Sequence, residues 1–279
     1  MKIIKKFRRF LRFKKIIYIL KIVNFILVKY KFYLIPDLSS NALSKLKYSS
    51  VSNSFYFSKS SQKINTIRIE TSNLTSDLCK IGSAFGTDKS PYSKHKAPYG
   101  LEHRHPYTGV YDLLFQDFRN QKFNFAEIGI LENNSIKMFR NYFSNAKIYG
   151  FEYDKKLIKK AKSHRLRNTF YSEIDVTNER SIKHNLSKFK KKFKVIIDDS
   201  THVFDDQIRL INNCIDFLDP GGMLIIEDIF HIKNIETKYI NSIKKYLKSF
   251  EKIFFIECNH INKHSKGFDN DKLMILKKK

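Results

Sequence analysis

Tryptophan is absent from this chain, and only 9 glycines and 3 cysteines occur in its 279 residues. Cys79, Cys214 and Cys258 are scattered with no paired spacing. That excludes a disulfide framework and a zinc site, and it points to a reducing compartment. The scarcity of glycine beside abundant Lys, Ile, Asn, Phe and Tyr matches AT-rich codon usage, so this part of the composition says little about chemistry. No internal repeat is present. What remains suits a globular core: 42% of residues are apolar and 14% aromatic, which argues against wholesale disorder. The length allows one sizeable domain with extensions.

Acidic residues are missing from the first 36 positions, which carry 11 Lys/Arg. Ile3, Ile4, Phe7, Phe10 and Leu11 recur there at helical spacing between Lys5, Lys6, Arg8, Arg9 and Arg12, a basic amphipathic pattern. The following run, Ile16 to Val28, is broken by Lys21 and Asn24 and falls short of the roughly 20 apolar residues a bilayer span needs. No small-residue cleavage site follows it, which disfavours a secretory signal. The segment therefore predicts a helix lying on an anionic membrane surface. A helix packed on the domain or on a second subunit satisfies the same pattern. This places the protein in the cytoplasm, peripherally on the inner face of the cytoplasmic membrane. Ten serines between Ser39 and Ser61 mark a linker or a poorly ordered stretch. The expected organisation is a basic helix over 1–36, a Ser-rich linker over 37–72 and a folded domain over 73–279. The net charge of +26 raises nucleic-acid binding as a partner class, but the tail holds much of the excess and the reading is disfavoured.

Beyond Gln121, strand-like and helix-like segments alternate. Strands are expected at Phe123–Ile128, Ile148–Phe151, Thr169–Tyr171, Val195–Ile197, Met223–Ile226, Ile253–Cys258 and Leu273–Leu276. Helical patterns lie at Ser135–Phe143, Lys155–Ser163, Asn178–Leu186, Phe204–Leu218 and Ile235–Leu247. Alternation of this length predicts an α/β, Rossmann-like, doubly wound and mostly parallel seven-stranded sheet. The last two strands, joined by the polar loop Asn259–Lys272, are expected to pair as an antiparallel edge.

Two of these strands end in acids. VIIDDSTH delivers Asp198, Asp199 and His202, and MLIIED delivers Glu227 and Asp228. Open α/β sheets bind ligands at the carboxyl ends of their strands. Five ionisable groups at one edge repel one another unless a positive group sits among them. An oxygen-liganded divalent cation answers that need and leaves His202 free as a base. A surface helix-capping histidine is the plainer reading of His202.

The first strand ends in FAEIGILENNS, where a single glycine, Gly129, lets the backbone approach a ligand. This is not a G-x-G-x-x-G fingerprint. Asn133 and Asn134 stand where positive φ is next best tolerated, and a plain strand-to-helix turn has the same pattern. Glu152 ends the second strand at the place where an acid commonly holds a ribose. Asp175 follows the third, where an adenine amino group is met or where Asp175 or Thr177 simply caps a helix.

Together these residues, over Ile81–Asp228, resemble class I S-adenosylmethionine-dependent methyltransferases, in particular the metal-dependent sugar O-methyltransferases of the macrocin and mycinamicin type. GTDKSPY (Gly86–Tyr92) and HRHPYTGVYDLLF (His103–Phe115) look like that family's segment before the first strand. EIGILENNS matches its cofactor loop, IIDDSTH its metal-and-base motif and DPGGMLIIEDI its fifth strand. The resemblance implies Mg²⁺ held by Asp199, Glu227 and Asp228, with His202 as general base for a sugar hydroxyl. It also implies S-adenosylmethionine bound by Glu127, Gly129, Glu152 and Asp175, with Asp198 on the cofactor side. Leu131, Glu132, Asn133 and Asn134 replace glycines common in that loop.

The implied chemistry is consistent with the residues absent. A sulfonium methyl needs no protein nucleophile, so the lack of a Ser/His/Asp or Cys/His arrangement is expected. The implied acceptor is a sugar hydroxyl of a glycan, glycolipid or glycosylated metabolite, and a homo-oligomer is the family's habit. The competing readings are a nucleic-acid methyltransferase, motivated by the charge, and a catalytically degenerate, membrane-tethered binding module, motivated by the glycine-poor loop.

Overall fold

The computed structural model describes residues 56–57, 65–94, 103–265 and 268–279. The expectations for residues 1–36, and most of those for the Ser-rich stretch, lie outside the described residues.

The chain enters with the strands β1 (Tyr56–Phe57) and β2 (Asn65–Glu70), then runs through α1 (Asp77–Phe85), β3 (His103–Arg104) and α2 (Tyr107–Phe115). The alternating core follows as β4 (Asn124–Ile128), α3 (Asn134–Tyr142), β5 (Lys147–Glu152), α4 (Lys155–Ser163), β6 (Thr169–Glu173) and α5 (Glu179–Ser187). It continues with β7 (Phe193–Asp198), α6 (Phe204–Cys214), β8 (Leu218–Ile226) and α7 (Ile235–Ser242). It closes with β9 (Phe250–Asn259), β10 (His264–Ser265) and β11 (Lys272–Lys278). Every strand anticipated from the sequence is present.

Among the described residues the main sheet has nine strands, in the order β1-β2-β9-β11-β8-β7-β4-β5-β6. Strands β4 to β8 are parallel, and the direction of winding reverses between β4 and β7. Such a switch point opens a crevice at the carboxyl ends of the two strands. Phe125, Ala126 and Ile128 of β4, and Val195, Ile196 and Ile197 of β7, are fully buried because helices cover both faces. On one face Phe139 of α3 meets Phe125 with ring centroids 4.5 Å apart. On the other, Ile182 and Leu186 of α5 and Leu210 and Ile211 of α6 share a core with Ala126, Ile128 and Ile196.

Strands β9 and β11 pair antiparallel as the polar loop between them suggests, but they are not the edge. Strand β11 inserts between β8 and β9, antiparallel to both. Strand β2 then adds in parallel to β9, and β1 adds antiparallel outside it. Both β1 and β2 thus lie inside the stretch read from the sequence as linker. Glu70 fastens this addition: its carboxylate accepts from the Ser72 amide at 2.9 Å, from the Ser72 hydroxyl and from the Asn259 amide at the end of β9.

Candidate active site

The ends of β4, β5, β6, β7 and β8 surround a cavity of about 730 Å³. Gly129 enters it at a φ of +87°, a conformation open to glycine. A Cβ there would stand 2.0 Å from the Asp199 carbonyl oxygen, so this glycine lets the β4 and β7 loops touch. Leu131 and Asn133 also have positive φ, 41° and 70°. Asn133 therefore does take the left-handed role in the glycine-poor turn. Glu152 ties that turn to β5: one carboxylate oxygen accepts from the Ile130 and Leu131 amides at 3.1 and 3.0 Å, the other from the Tyr153 and Asp154 amides. Asp175 accepts from the amide and hydroxyl of Thr177. Gly129, Glu152 and Asp175 all line the cavity, with Ile130, Ile174 and Val176 as apolar neighbours.

Asp199, His202 and Asp228 line the same cavity. The His202 Nε2 lies 3.5 Å from an Asp228 oxygen and 3.9 Å from an Asp199 oxygen. Both His202 and Asp228 have left-handed backbones, at φ 57° and 58°. Non-glycine residues persist in that region where the surrounding structure holds them, and such strain clusters at functional sites. One ligand atom from each of these three side chains falls within 4.8 Å of the others, a separation a single cation can bridge. The two carboxylates suit a hard divalent ion, and the imidazole stands beside them.

Glu127, Asp198 and Glu227 are brought close but do not line the cavity. Glu127 accepts from the Ser135 hydroxyl at 2.7 Å on the side of α3. Asp198 is 1% exposed and accepts from the amide and hydroxyl of Ser200. Glu227 is 1% exposed and accepts from the Tyr111 hydroxyl.

The positive group that the sequence required is already in the chain. Lys89 is 1% exposed, and its ammonium contacts Asp199 and Glu227 and lies 3.4 Å from Glu127. Burial alone would lower its pKa; Asp199, Glu227 and Glu127 more than offset this and hold it well above the usual lysine range. Its carbonyl also accepts from the Tyr107 and Thr108 amides, which fixes the start of α2. That helix carries Tyr107 and Tyr111 one turn apart on one face. Tyr107 donates to Asp228 at 2.6 Å and Tyr111 donates to Glu227, so each strand-end acid of β8 has its own phenol. His105 stacks on Tyr107 and lies 2.9 Å from Asp271 and 3.7 Å from Asp228. Burial opposes its charge, but Asp228 and the Asp271 bond raise its pKa to about 10. Asp228 in turn is lowered: burial pushes it up, and His105, His202 and Tyr107 outweigh that.

The sequence marks no role for Lys89 and no catalytic role for His105, Tyr107 or Tyr111. Lys89 sits inside GTDKSPY, but as one of 53 basic residues it carries no mark of its own. Its partners lie 110 and 138 positions away in the chain.

A family model described as a methyltransferase domain matches residues 133–275. Demethylmacrocin O-methyltransferase of Streptomyces fradiae is 25% identical over 133 residues, covering 45% of this chain and 32% of that protein. Mycinamicin VI 2''-O-methyltransferase of Micromonospora griseorubida is 25% identical over 162 residues, covering 55% and 36%. The chain therefore spans about a third of the length of the curated relatives it matches. A solved structure of MycE methyltransferase from the mycinamycin biosynthetic pathway, in complex with Mg, SAH and mycinamycin VI, shares 23% identity. It covers 56% of this chain and 38% of its own, at a TM-score of 0.45.

Proposed function

The chain belongs to the methyltransferase-domain family, and from that premise we propose that it is an S-adenosylmethionine- and Mg²⁺-dependent O-methyltransferase acting on a sugar hydroxyl. The observation that carries this reading is one cavity shared by two sets of residues. Gly129, Glu152 and Asp175 line it at the ends of β4, β5 and β6, and Asp199, His202 and Asp228 line it at β7 and β8. The first set would hold the cofactor: Glu152 and the Ile130–Leu131 turn the ribose, Asp175 the base. Asp199 and Asp228 would hold the cation, with Glu127, Asp198 and Glu227 behind them.

A bound cation would acidify a coordinated hydroxyl, and the sulfonium would supply its methyl group. His202, whose Nε2 lies 3.5 Å from an Asp228 oxygen and 3.9 Å from an Asp199 oxygen, would take the hydroxyl proton. Tyr107 and His105 hold Asp228 in place with its charge intact. The relatives' names, which specify 2''-hydroxyl methylation of mycinamicin VI and methylation of a rhamnosyl tetracenomycin, support a glycosyl acceptor. Peripheral membrane association through residues 1–36 belongs to the same proposal, since it would bring the site to lipid-linked glycans.

The test is transfer of label from methyl-tritiated S-adenosylmethionine to a panel of alkyl rhamnosides and hexosides with Mg²⁺. The reading expects O-methylated glycoside that vanishes after chelation with EDTA. Undiminished transfer in EDTA, or transfer to RNA rather than to any glycoside, contradicts it.

A further inference from the structure

The cavity has one more wall, and it is aromatic. His103 of β3, Phe230 beyond β8 and Phe268 ahead of β11 line it. The Phe268 ring lies 5.8 Å from His103 and 6.2 Å from Phe230, centroid to centroid. Phe268 is 47% exposed, although its surroundings are fastened. The Asp269 carbonyl accepts from the His231 amide at 2.8 Å, which ties the Phe268 and Phe230 loops together. The Ser265 hydroxyl lies 3.3 Å from the His103 Nδ1, and His105 stacks behind His103. Two residues beyond Phe268, Asn270 also lines the cavity. It is 6% exposed, and its Oδ1 has no hydrogen-bond partner among the described residues. Sheet order sets what this wall faces. Gly129, Glu152 and Asp175 stand at the ends of β4, β5 and β6, His202 follows β7, and β11 lies beyond β8. The aromatic wall is therefore across the base from the cofactor residues, where the body of an acceptor lies if its hydroxyl is to meet both.

We propose that His103, Phe230, Phe268 and Asn270 form the sugar subsite for the acceptor: the rings take the C–H face of a pyranose, and the Asn270 Oδ1 accepts from one of its hydroxyls. The inference rests on the methyltransferase reading and deepens it by assigning acceptor specificity to residues of this chain. A pyranose chair has an apolar face of C–H bonds and a rim of hydroxyls, so it needs an apolar wall beside a few fixed polar groups. The His103 and Phe230 rings are tilted by 51° and 49° to Phe268. Rings tilted in this way make a concave wall that fits a puckered ring. A flat catechol or nucleobase calls instead for parallel faces to stack on. A buried oxygen without a partner is costly, and a donating sugar hydroxyl removes that cost.

The test is saturation-transfer NMR on the full chain with Mg²⁺ and S-adenosylhomocysteine, titrated with alkyl rhamnosides and hexosides, with catechol and with uridine. Wild type is expected to pass saturation to the ring C–H protons of a glycoside. Phe268→Ala should weaken that glycoside by about fivefold or more and leave S-adenosylhomocysteine binding unchanged, whereas Phe268→Tyr should keep it within about twofold. Phe268 is exposed, so its variants are expected to fold, and a melting curve checks this. Unchanged glycoside affinity in Phe268→Ala overturns the inference. So does saturation confined to the alkyl group, which would make the wall a seat for a lipid tail, and so does binding of catechol or uridine with no glycoside bound. The adenine signals of S-adenosylhomocysteine in the same samples report separately on the methyltransferase reading. If they are present and no glycoside binds, the subsite falls and that reading stands; if they are absent, both fall.

Discussion

Gly129 is the residue on which the two halves of the site meet. Its positive φ and its contact with the Asp199 carbonyl mean that a methyl group there strains the turn and drives into backbone that cannot swing aside. Gly129→Ala should therefore lower the melting temperature, at a cost of about 2 kcal/mol or more, and weaken S-adenosylhomocysteine binding. Calorimetry with that ligand beside a melting curve checks both, and an unchanged affinity contradicts the placement. His202 makes a different prediction because it is one-third exposed and its contacts are longer than hydrogen bonds. His202→Ala should leave the fold and ligand binding intact but slow methyl transfer by about 10²–10⁴-fold, the usual worth of a positioned base. Raising the pH should restore part of that rate, since hydroxide can take the proton. Full activity in His202→Ala would remove the histidine from the chemistry.

Among the elements, the alternating core was legible because a buried parallel strand must be continuously apolar and its helices must be amphipathic. The acid tips of β7 and β8 were legible for the same reason: a charge that ends an apolar run marks where the strand leaves the core. Helix α2 was not. Its Tyr107 and Tyr111 look like ordinary core aromatics until Asp228 and Glu227 are brought to them from more than 100 positions away. Strand β2 escaped because a short alternating run beside a serine-rich stretch has no local sign that β9 will accept it. Its clasp gives a pH prediction. Burial raises the Glu70 pKa, but the bonds from Ser72 and Asn259 outweigh that and hold it below its ordinary 4.5. A carboxyl lowered by folding stabilises the native state above that value, and the contribution is lost as the pH falls beneath it. Amide exchange, corrected for intrinsic rate, should therefore show Asn65–Glu70 losing protection between about pH 5 and pH 3 before β4 does. Glu70→Gln should show weak protection of β2 already at the higher pH. Simultaneous loss in β2 and β4 would contradict this.

For the whole molecule, the question is where its +26 charge acts. The first 36 residues hold 11 of the basic side chains without an acid, and each Lys or Arg near an anionic surface contributes roughly 1 kcal/mol. Full-length protein should sediment with phosphatidylserine vesicles and release as salt rises, while a variant lacking residues 1–36 should not sediment. Equal sedimentation of the two sinks the membrane role of the tail. Among the described residues no helix is long and apolar enough to cross a membrane. The same truncation separates the nucleic-acid reading: RNA affinity that survives it, with a steep salt dependence, would place recognition on the folded domain. All of this depends on whether the cavity at the switch point takes the cofactor. The most direct measurement is a calorimetric titration of the full chain with S-adenosylhomocysteine. The account predicts saturable one-to-one binding that Asp175→Ala weakens, and absence of heat at millimolar ligand would contradict it.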